Sequence, residues 1–306
     1  MREDHFESEW RGRRVWVFHA GALGDHVLIW PMLRALLRTG AEVTLAGNAE
    51  KGRLCRGEIG AEGLRVVDGG SARWSLLWAE DECGALAGMM EEERAGAARV
   101  ITFVASENEE SGRVWTGNAR RVLGAEEVVC AGPPGSASRA RLWARTGVER
   151  LGATAARENV QGPVVLHVGA GSRAKMWPME RWGALAERLR AGGRDGVRVI
   201  AGEVERERLS AAERGVFEGM GGEFVEGLGA LAEIVRGARV VVGADSGPAH
   251  LAAQMGVATV TLFGPTDARV WGPVGPRVSV VAPERPGPMS WLSVERAAMA
   301  VAGMTG

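Results

Sequence analysis

The chain reads as an α/β protein made of two Rossmann-like halves, each a parallel sheet covered by helices. Three observations predict this. Short, continuous Val/Ile/Leu runs recur at residues 164–168, 197–201, 240–242 and 259–263. Unbroken apolar runs of this length fit strands buried on both faces, as in parallel sheets. Helix-length segments separate the runs, which is the alternation of βαβ units. The 306 residues, 46% hydrophobic and 25% charged, suffice for two domains of roughly 150 residues. Two such halves are expected to face each other across a cleft.

In the first half, residues 15–18 form an apolar strand, 21–25 a Gly-rich turn, 27–38 a helix and 42–46 the next strand. Further strands are expected at 64–67, 99–104 and 127–130. Residues 71–94 read as helical without a clear pattern, and 106–117 as an acidic, polar loop. Breakers cluster at Gly132-Pro133-Pro134-Gly135, a helix is expected over 140–151, and the polar stretch 157–162 is the candidate linker. The domain boundary therefore falls near residue 157, giving 1–157 and a second domain from 158. That half repeats the alternation, with strands at 164–168, 197–201, 223–225, 240–242 and 259–263. Helices are expected at 179–190, 205–217, 228–236 and 248–255, and a final helix at 293–302 is followed by no strand.

Composition excludes several classes. The 37 basic and 38 acidic side chains leave a net charge of -1, without the basic excess of a nucleic-acid binder. The first fourteen residues lack the apolar core of a secretory signal. The best candidate for a membrane span, 27–37, contains Pro31 and Arg34 and is too short. Cys55, Cys83 and Cys130 are odd in number and far apart, which suggests neither a disulfide framework nor a zinc site. A cytoplasmic location is the expectation. Only two lysines occur, Lys51 and Lys175, the other 35 basic residues being arginine.

In open parallel sheets, ligands bind beyond the carboxyl ends of the strands, at loops and helix N-termini. Three loops here hold that position. The first is Gly21-Ala22-Leu23-Gly24-Asp25-His26, where Asp25 stands at the start of a helix, as a cap or as a group facing a ligand. Its spacing is not that of a dinucleotide fingerprint. The second, Gly169-Ala170-Gly171-Ser172-Arg173-Ala174-Lys175, brings small residues, a hydroxyl and two cations before a helix, which suits a pyrophosphate as well as a solvated loop. The third is Ala244-Asp245-Ser246-Gly247-Pro248-Ala249-His250, with Pro248 suited to a first helical turn. Asp245 can accept from sugar hydroxyls and His250 can donate to an anion, or both can belong to a capped helix with a buried histidine.

The third loop continues through Gly256-Val257-Ala258-Thr259 to Phe263-Gly264-Pro265-Thr266-Asp267 and Trp271-Gly272-Pro273. This long stretch resembles the heptosyltransferase-type glycosyltransferases of family 9. The Gly24-Asp25 pair with Pro31 beyond it, and Lys175-Met176-Trp177-Pro178, resemble two further motifs of that family. The chain departs from it at His19, where members often carry Lys or Arg.

The resemblance implies a GT-B fold, with the acceptor on the N-terminal domain and the nucleotide-sugar on the C-terminal one. It implies that 286–306 packs back onto the first domain, so that the second ends near residue 285. It also implies an inverting, metal-independent transfer of a heptose or related sugar from an ADP-activated donor to a glycan hydroxyl, as in lipopolysaccharide-core synthesis. Asp25 matches the general base. Gly24, Gly171, Ser172, Lys175, Ser246 and Gly247 match substrate-binding positions, with Asp245 and His250 near the donor sugar and phosphates. Glu205 is the best match to the acidic residue near the nucleoside, with Glu203 the fallback. The implied partners are the donor and a glycan or lipid-linked glycan, with at most peripheral contact with the inner membrane surface. A non-catalytic sugar-nucleotide-binding protein on the same scaffold is the alternative.

Overall fold

A computed structural model of the chain describes residues 5–70, 72–79, 98–192 and 196–305. It divides into two compact units. One comprises Met1–Gly21 and Ile29–Ala153, the other Ala22–Leu28 and Thr154–Gly306.

Unit 1 holds a five-stranded parallel sheet of β1 (Arg14–His19), β2 (Glu42–Gly47), β3 (Arg65–Asp68), β4 (Ala98–Thr102) and β5 (Ala125–Cys130) in the order β3-β2-β1-β4-β5. Residues Val15 to His19 of the central strand are all buried, as a strand covered on both faces requires. One face packs on an aromatic cluster, with Phe18 5.3 Å from Trp74 and 5.0 Å from Trp115, both edge-on.

Several expectations fail in the first half of the chain, where the helix expected over 140–151 is two, Ala137–Thr146 and Val148–Leu151. The polar loop expected at 106–117 is largely the helix Glu110–Leu123. Its first turn is acidic and exposed, but Trp115, Ala119, Val122 and Leu123 recur at helical spacing on a buried face, and Gly124 ends it with φ +62°. The helix expected over 27–38 is two helices, Leu23–Val27 and Trp30–Arg38. Pro31 stands in the first turn of the second, where it is tolerated; inside one continuous helix it would remove a hydrogen bond and clash with the preceding turn. Of the helical region 71–94, the described part is the helix Ala72–Ser75 and the turn Leu76–Trp78. The remainder, with Cys83, lies outside the described residues.

Unit 2 holds six parallel strands: β6 (Val164–His167), β7 (Val197–Ala201), β8 (Gly222–Phe224), β9 (Val240–Ala244), β10 (Ala258–Leu262) and β11 (Val278–Val281). The order is β11-β10-β9-β6-β7-β8, the Rossmann order with β6 as its first strand. β11 was not anticipated: its burial is partial and its run of four is short. The helix expected over 205–217 is Glu203–Arg208 followed by Ala211–Gly219, because Ser210 caps the second through a capping box with Glu213.

The terminal helix, Val294–Thr305, which the resemblance implied would return to the first domain, is part of unit 2 and of its core. Ala297 and Val301 are fully buried in the same core as Leu292, Trp182 and Val260. Arg239 and Arg277 donate to the carbonyls of Thr305 and Met304 at its end. The boundary differs at the other end of the chain too. Residues 22–28, expected in the first domain, belong to unit 2. Among the described residues no helix is long and apolar enough to cross a membrane.

Candidate functional site

In a sheet of this order, the strands beside the first one lead into connections that run in opposite directions, leaving a crevice at their carboxyl ends. In unit 2 that point lies between β6 and β9, which pair directly, and both loops singled out in the second half emerge there. After β6 the chain runs through Gly169 to a short 3-10 turn, Arg173–Lys175. After β9 it enters the helix Gly247–Gln254, with Ser246 at the N-cap and Pro248 in the first turn.

The two loops meet through Asp245. Its carboxylate is 2.7 Å from Lys175 Nζ, accepts a 2.7 Å hydrogen bond from Thr266 Oγ1, and lies 3.5 Å from His250 Nε2. Burial alone pushes this carboxyl up. The hydrogen bonds from His250, Lys175 and Thr266, with the Lys175 charge, outweigh it and hold Asp245 below the usual carboxylate range. The lysine side chain keeps about a quarter of its surface exposed.

The helix start adds fixed dipoles. Its first intrahelical bond runs from His250 N to Ser246 O, so the N–H groups ahead of it have no partner within the helix. Ser246 Oγ and His250 Nδ1 are buried and have no hydrogen-bond partner among the described residues.

The segment Ala22–Leu28 sits on this helix start. A Cβ on Gly247 would come within 2.9 Å of Leu23 Cβ, and one on Gly24 within 3.4 Å of His250 Cδ2. Glycine at 247 is therefore what lets the short helix Leu23–Val27 seat there. Asp25 lies at the third position of that helix, half-buried, while Ala22 is the N-cap and makes no side-chain cap bond. Asp25 is thus not the capping residue that its place in the sequence allowed.

The remaining residues divide. Ser172 is exposed at the start of the 3-10 turn, and a Cβ on Gly171 would meet nothing within 4 Å, so that glycine leaves open space. Glu205 is buried at 5% exposure, accepts from Gly202 N at 3.0 Å, and lies where a Cβ on Gly169 would collide with it. Its carboxylate braces the loop from beneath. Glu203 is exposed and accepts from Gly227 N at 3.2 Å. Beside Glu205, burial holds the His167 imidazole below its usual pKa against the pull of the Glu205 charge, so it is neutral near pH 7. Among the described residues no three His, Cys, Asp or Glu side chains converge as a metal site would require.

Sequence reasoning missed three contributors. Thr266 orients Asp245, and Arg208 donates to the Ala170 carbonyl at 3.2 Å, which ties down the β6 loop. Lys51 Nζ donates to the Gly21 carbonyl at 2.8 Å in unit 1, so both lysines of the chain hold strand-end loops. The scarcity of lysine was the one signal that could have found it.

Two parallel Rossmann-like units in one chain, with switch-point loops carrying cations and a helix start, define the GT-B class of α/β architecture. Residues 140–290 match the glycosyltransferase family 9 (heptosyltransferase) model. The lipopolysaccharide heptosyltransferase 1 of Pseudomonas aeruginosa is 38% identical over 113 residues, which are 37% of this chain and 31% of that protein. Among solved structures, a family 9 glycosyltransferase from Veillonella parvula superposes with a TM-score of 0.68 at 16% identity, covering 97% of this chain and 98% of that one. E. coli heptosyltransferase WaaC, solved with ADP, gives 0.65 at 21% identity, over 95% and 99% of the two chains. At these identities the superpositions speak to the fold.

Proposed function

We propose that the chain is a glycosyltransferase that moves a heptose or a close relative from an ADP-activated donor to a hydroxyl of a glycan acceptor. The observation that carries this is local to unit 2: the Asp25 helix is seated on the start of the helix Gly247–Gln254, the same loop whose Asp245 holds Lys175. A carboxylate and a diphosphate cradle thereby share one support. The family match over residues 140–290 and the ADP bound by WaaC favour the donor class.

In this reading Asp25 takes the proton from the acceptor hydroxyl as its oxygen attacks the anomeric carbon, and the bond from that carbon to the β-phosphate oxygen breaks. Attack opposite the leaving group inverts the configuration. The negative charge that develops on ADP meets Lys175, the hydroxyls of Ser172 and Ser246, and the helix N–H groups at Gly247, all placed before the reaction begins. Lys175 already pairs with Asp245, so the diphosphate shares a positioned ammonium and does not have to order a free one. No metal is required by this arrangement, because the lysine and helix dipole supply the positive charge. Gly24 and Gly171 leave the approach to these groups free of side chains, His250 orients Asp245, and Glu205 shapes the loop on the nucleoside side. A lipid-linked or lipopolysaccharide-core glycan at the cytoplasmic membrane face is the acceptor class in keeping with the matched family.

The test is transfer from ADP-heptose to a glycan panel, read as ADP release together with glycosylated product. ADP binding without product on any acceptor would instead identify a sugar-nucleotide-binding protein.

A further inference from the structure

In unit 2, two donors from different loops converge on a single oxygen. Oδ2 of Asp245 lies 2.7 Å from Lys175 Nζ, after β6, and 2.7 Å from Thr266 Oγ1, after β10. Both donors stand on loops, Lys175 at the end of the 3-10 turn and Thr266 in a bend. Hydrogen bonds of this length tolerate little drift, so whatever holds the two loops sets the geometry of the pair.

One stretch of chain holds both: the strap 282–292, between β11 and the terminal helix. On the β10 side, Gly287 N donates to Gly264 O at 2.9 Å and Trp291 Nε1 to Phe263 O at 2.8 Å. A Cβ on Gly264 would collide with Met289 Sδ, so glycine there lets the strap lie against the loop. Thr266 follows Gly264 by two residues. On the β6 side, Trp177 Nε1 donates to Leu292 O at 3.2 Å. Arg181 Nη1 donates to Ser290 O at 2.9 Å and to Leu292 O as well. Trp177 follows Lys175 by two residues. Met289 and Leu292 are buried in the unit 2 core, which keeps the strap itself in place.

The bonding is selective. Trp182 lies in the same core, edge-on to Trp177 at 5.0 Å, and its buried Nε1 has no partner among the described residues. A tryptophan that only fills this core therefore needs no strap carbonyl. Trp177 and Trp291 each commit their single N–H to a backbone carbonyl, one on the strap and one on the β10 loop.

We propose that Trp177 and Trp291 are positioning residues of the donor site. Through the strap they hold the Lys175 and Thr266 loops at the spacing at which both donors reach Oδ2 of Asp245. The ammonium that receives the diphosphate is thereby set in place before the ligand arrives. In this role they presuppose the ADP-activated donor proposed above.

The test is the ADP affinity of the full chain by calorimetry, with thermal midpoints recorded in parallel. Trp291→Phe keeps a ring for Arg296 and removes one N–H bond, and Trp177→Phe likewise keeps a ring. ADP is expected to bind about threefold to tenfold more weakly to each. Trp182→Phe is the control. It makes the same change in the same core, and should lower the thermal midpoint while ADP affinity stays within about twofold. Arg181→Met, on a partly exposed side chain, frees the strap on the β6 side without opening the core. It should weaken ADP as Trp177→Phe does, and it decides the matter if Trp177→Phe does not fold.

A double-mutant cycle separates positioning from general loosening. Trp291→Phe acts through Thr266, so in a Thr266→Val background it is expected to change ADP affinity by less than about twofold. Wild-type ADP affinity in Trp291→Phe and Arg181→Met, a loss in Trp182→Phe as large as theirs, or an undiminished loss in the Thr266→Val background would overturn the proposal and leave the donor reading intact. No ADP binding by the wild type would remove the donor reading, and this role with it.

Discussion

The two sheets share a strand order and differ in what stands at their switch points. In unit 2 the ends of β6 and β9 carry Lys175, Asp245, Ser246 and a helix start, an electrostatic site already paired and oriented. In unit 1 the ends of β1 and β4 carry His19 and Phe103 beside tryptophans, and the only charged described residue lining the cavity there is an aspartate. One sheet carries a paired lysine and a helix start at its switch point, and the other an aromatic pocket. The topology specifies where a ligand goes, and the loop residues specify which ligand.

The sharpest way to break this comparison is Asp25. Asp25→Asn is expected to lower the rate of transfer by about 10²- to 10⁴-fold while ADP affinity stays within about twofold, since a general base acts on the reacting proton and not on the leaving group. Near-normal turnover, measured as ADP release with product, removes Asp25 from the chemistry.

Lys175 probes the cradle next. Lys175→Arg keeps the charge but replaces a compact ammonium by a planar fork, and an approximately tenfold loss in kcat/KM for the donor is expected. Lys175→Met should also destabilise the free protein by about 1–3 kcal/mol, because Asp245 loses its charged partner while staying buried. Wild-type kinetics in the arginine variant would show that the cradle reads charge and not shape.

pH separates the two units. His19 accepts from Gly21 N through Nδ1 at 3.2 Å, a bond that only the neutral ring can make. Its folded pKa of about 4 lies below the unfolded value of 6.5, so the unfolded chain gains a proton first as pH falls through that window. Stability is therefore full above pH 6.5 and lost on acidification, by about 2 kcal/mol between pH 7 and pH 5. The His167 shift has the same sign and adds to the loss in unit 2. Asp245, depressed instead, loses its contribution only below the ordinary carboxylate range. Urea titrations of the wild type and His19→Gln at both pH values should show the smaller loss in the variant; equal losses would sink the assignment to His19.

The smallest expected effect is Gly171→Ala. Its Cβ meets nothing within 4 Å, so the thermal midpoint should hold, and any fall in donor affinity locates the ligand against that backbone. Gly247→Ala is its opposite, expected to cost about 1–3 kcal/mol because the methyl group would push into Leu23.

Legibility from sequence followed how local the information was. The buried strands were readable because a two-faced strand must be apolar throughout: β6, β9 and β10 are buried at every residue. The edge strand β11 and the helix Glu110–Leu123 were not. The first pairs on one side only, and the second hides its apolar stripe behind an acidic opening turn. In the site, Asp245, Lys175 and His250 were legible as a cluster of uncommon residues at strand ends. The contribution of Thr266 was not, because it lies 21 residues from the carboxylate that it orients. Glu205 was found for its charge, yet the structure uses that charge to brace a glycine loop.

The lysines show the division most plainly. By itself the sequence determined an α/β chain of parallel strands, the loops at their ends, and two lysines in an arginine-rich composition, because burial and turn chemistry are written in neighbouring residues. Tertiary structure alone decided that Lys175 pairs with Asp245, that Lys51 holds Gly21, that Ala22–Leu28 belongs to the second unit, and that the last helix packs there too. Those outcomes depend on which surfaces meet across tens of residues, and no local pattern records that choice.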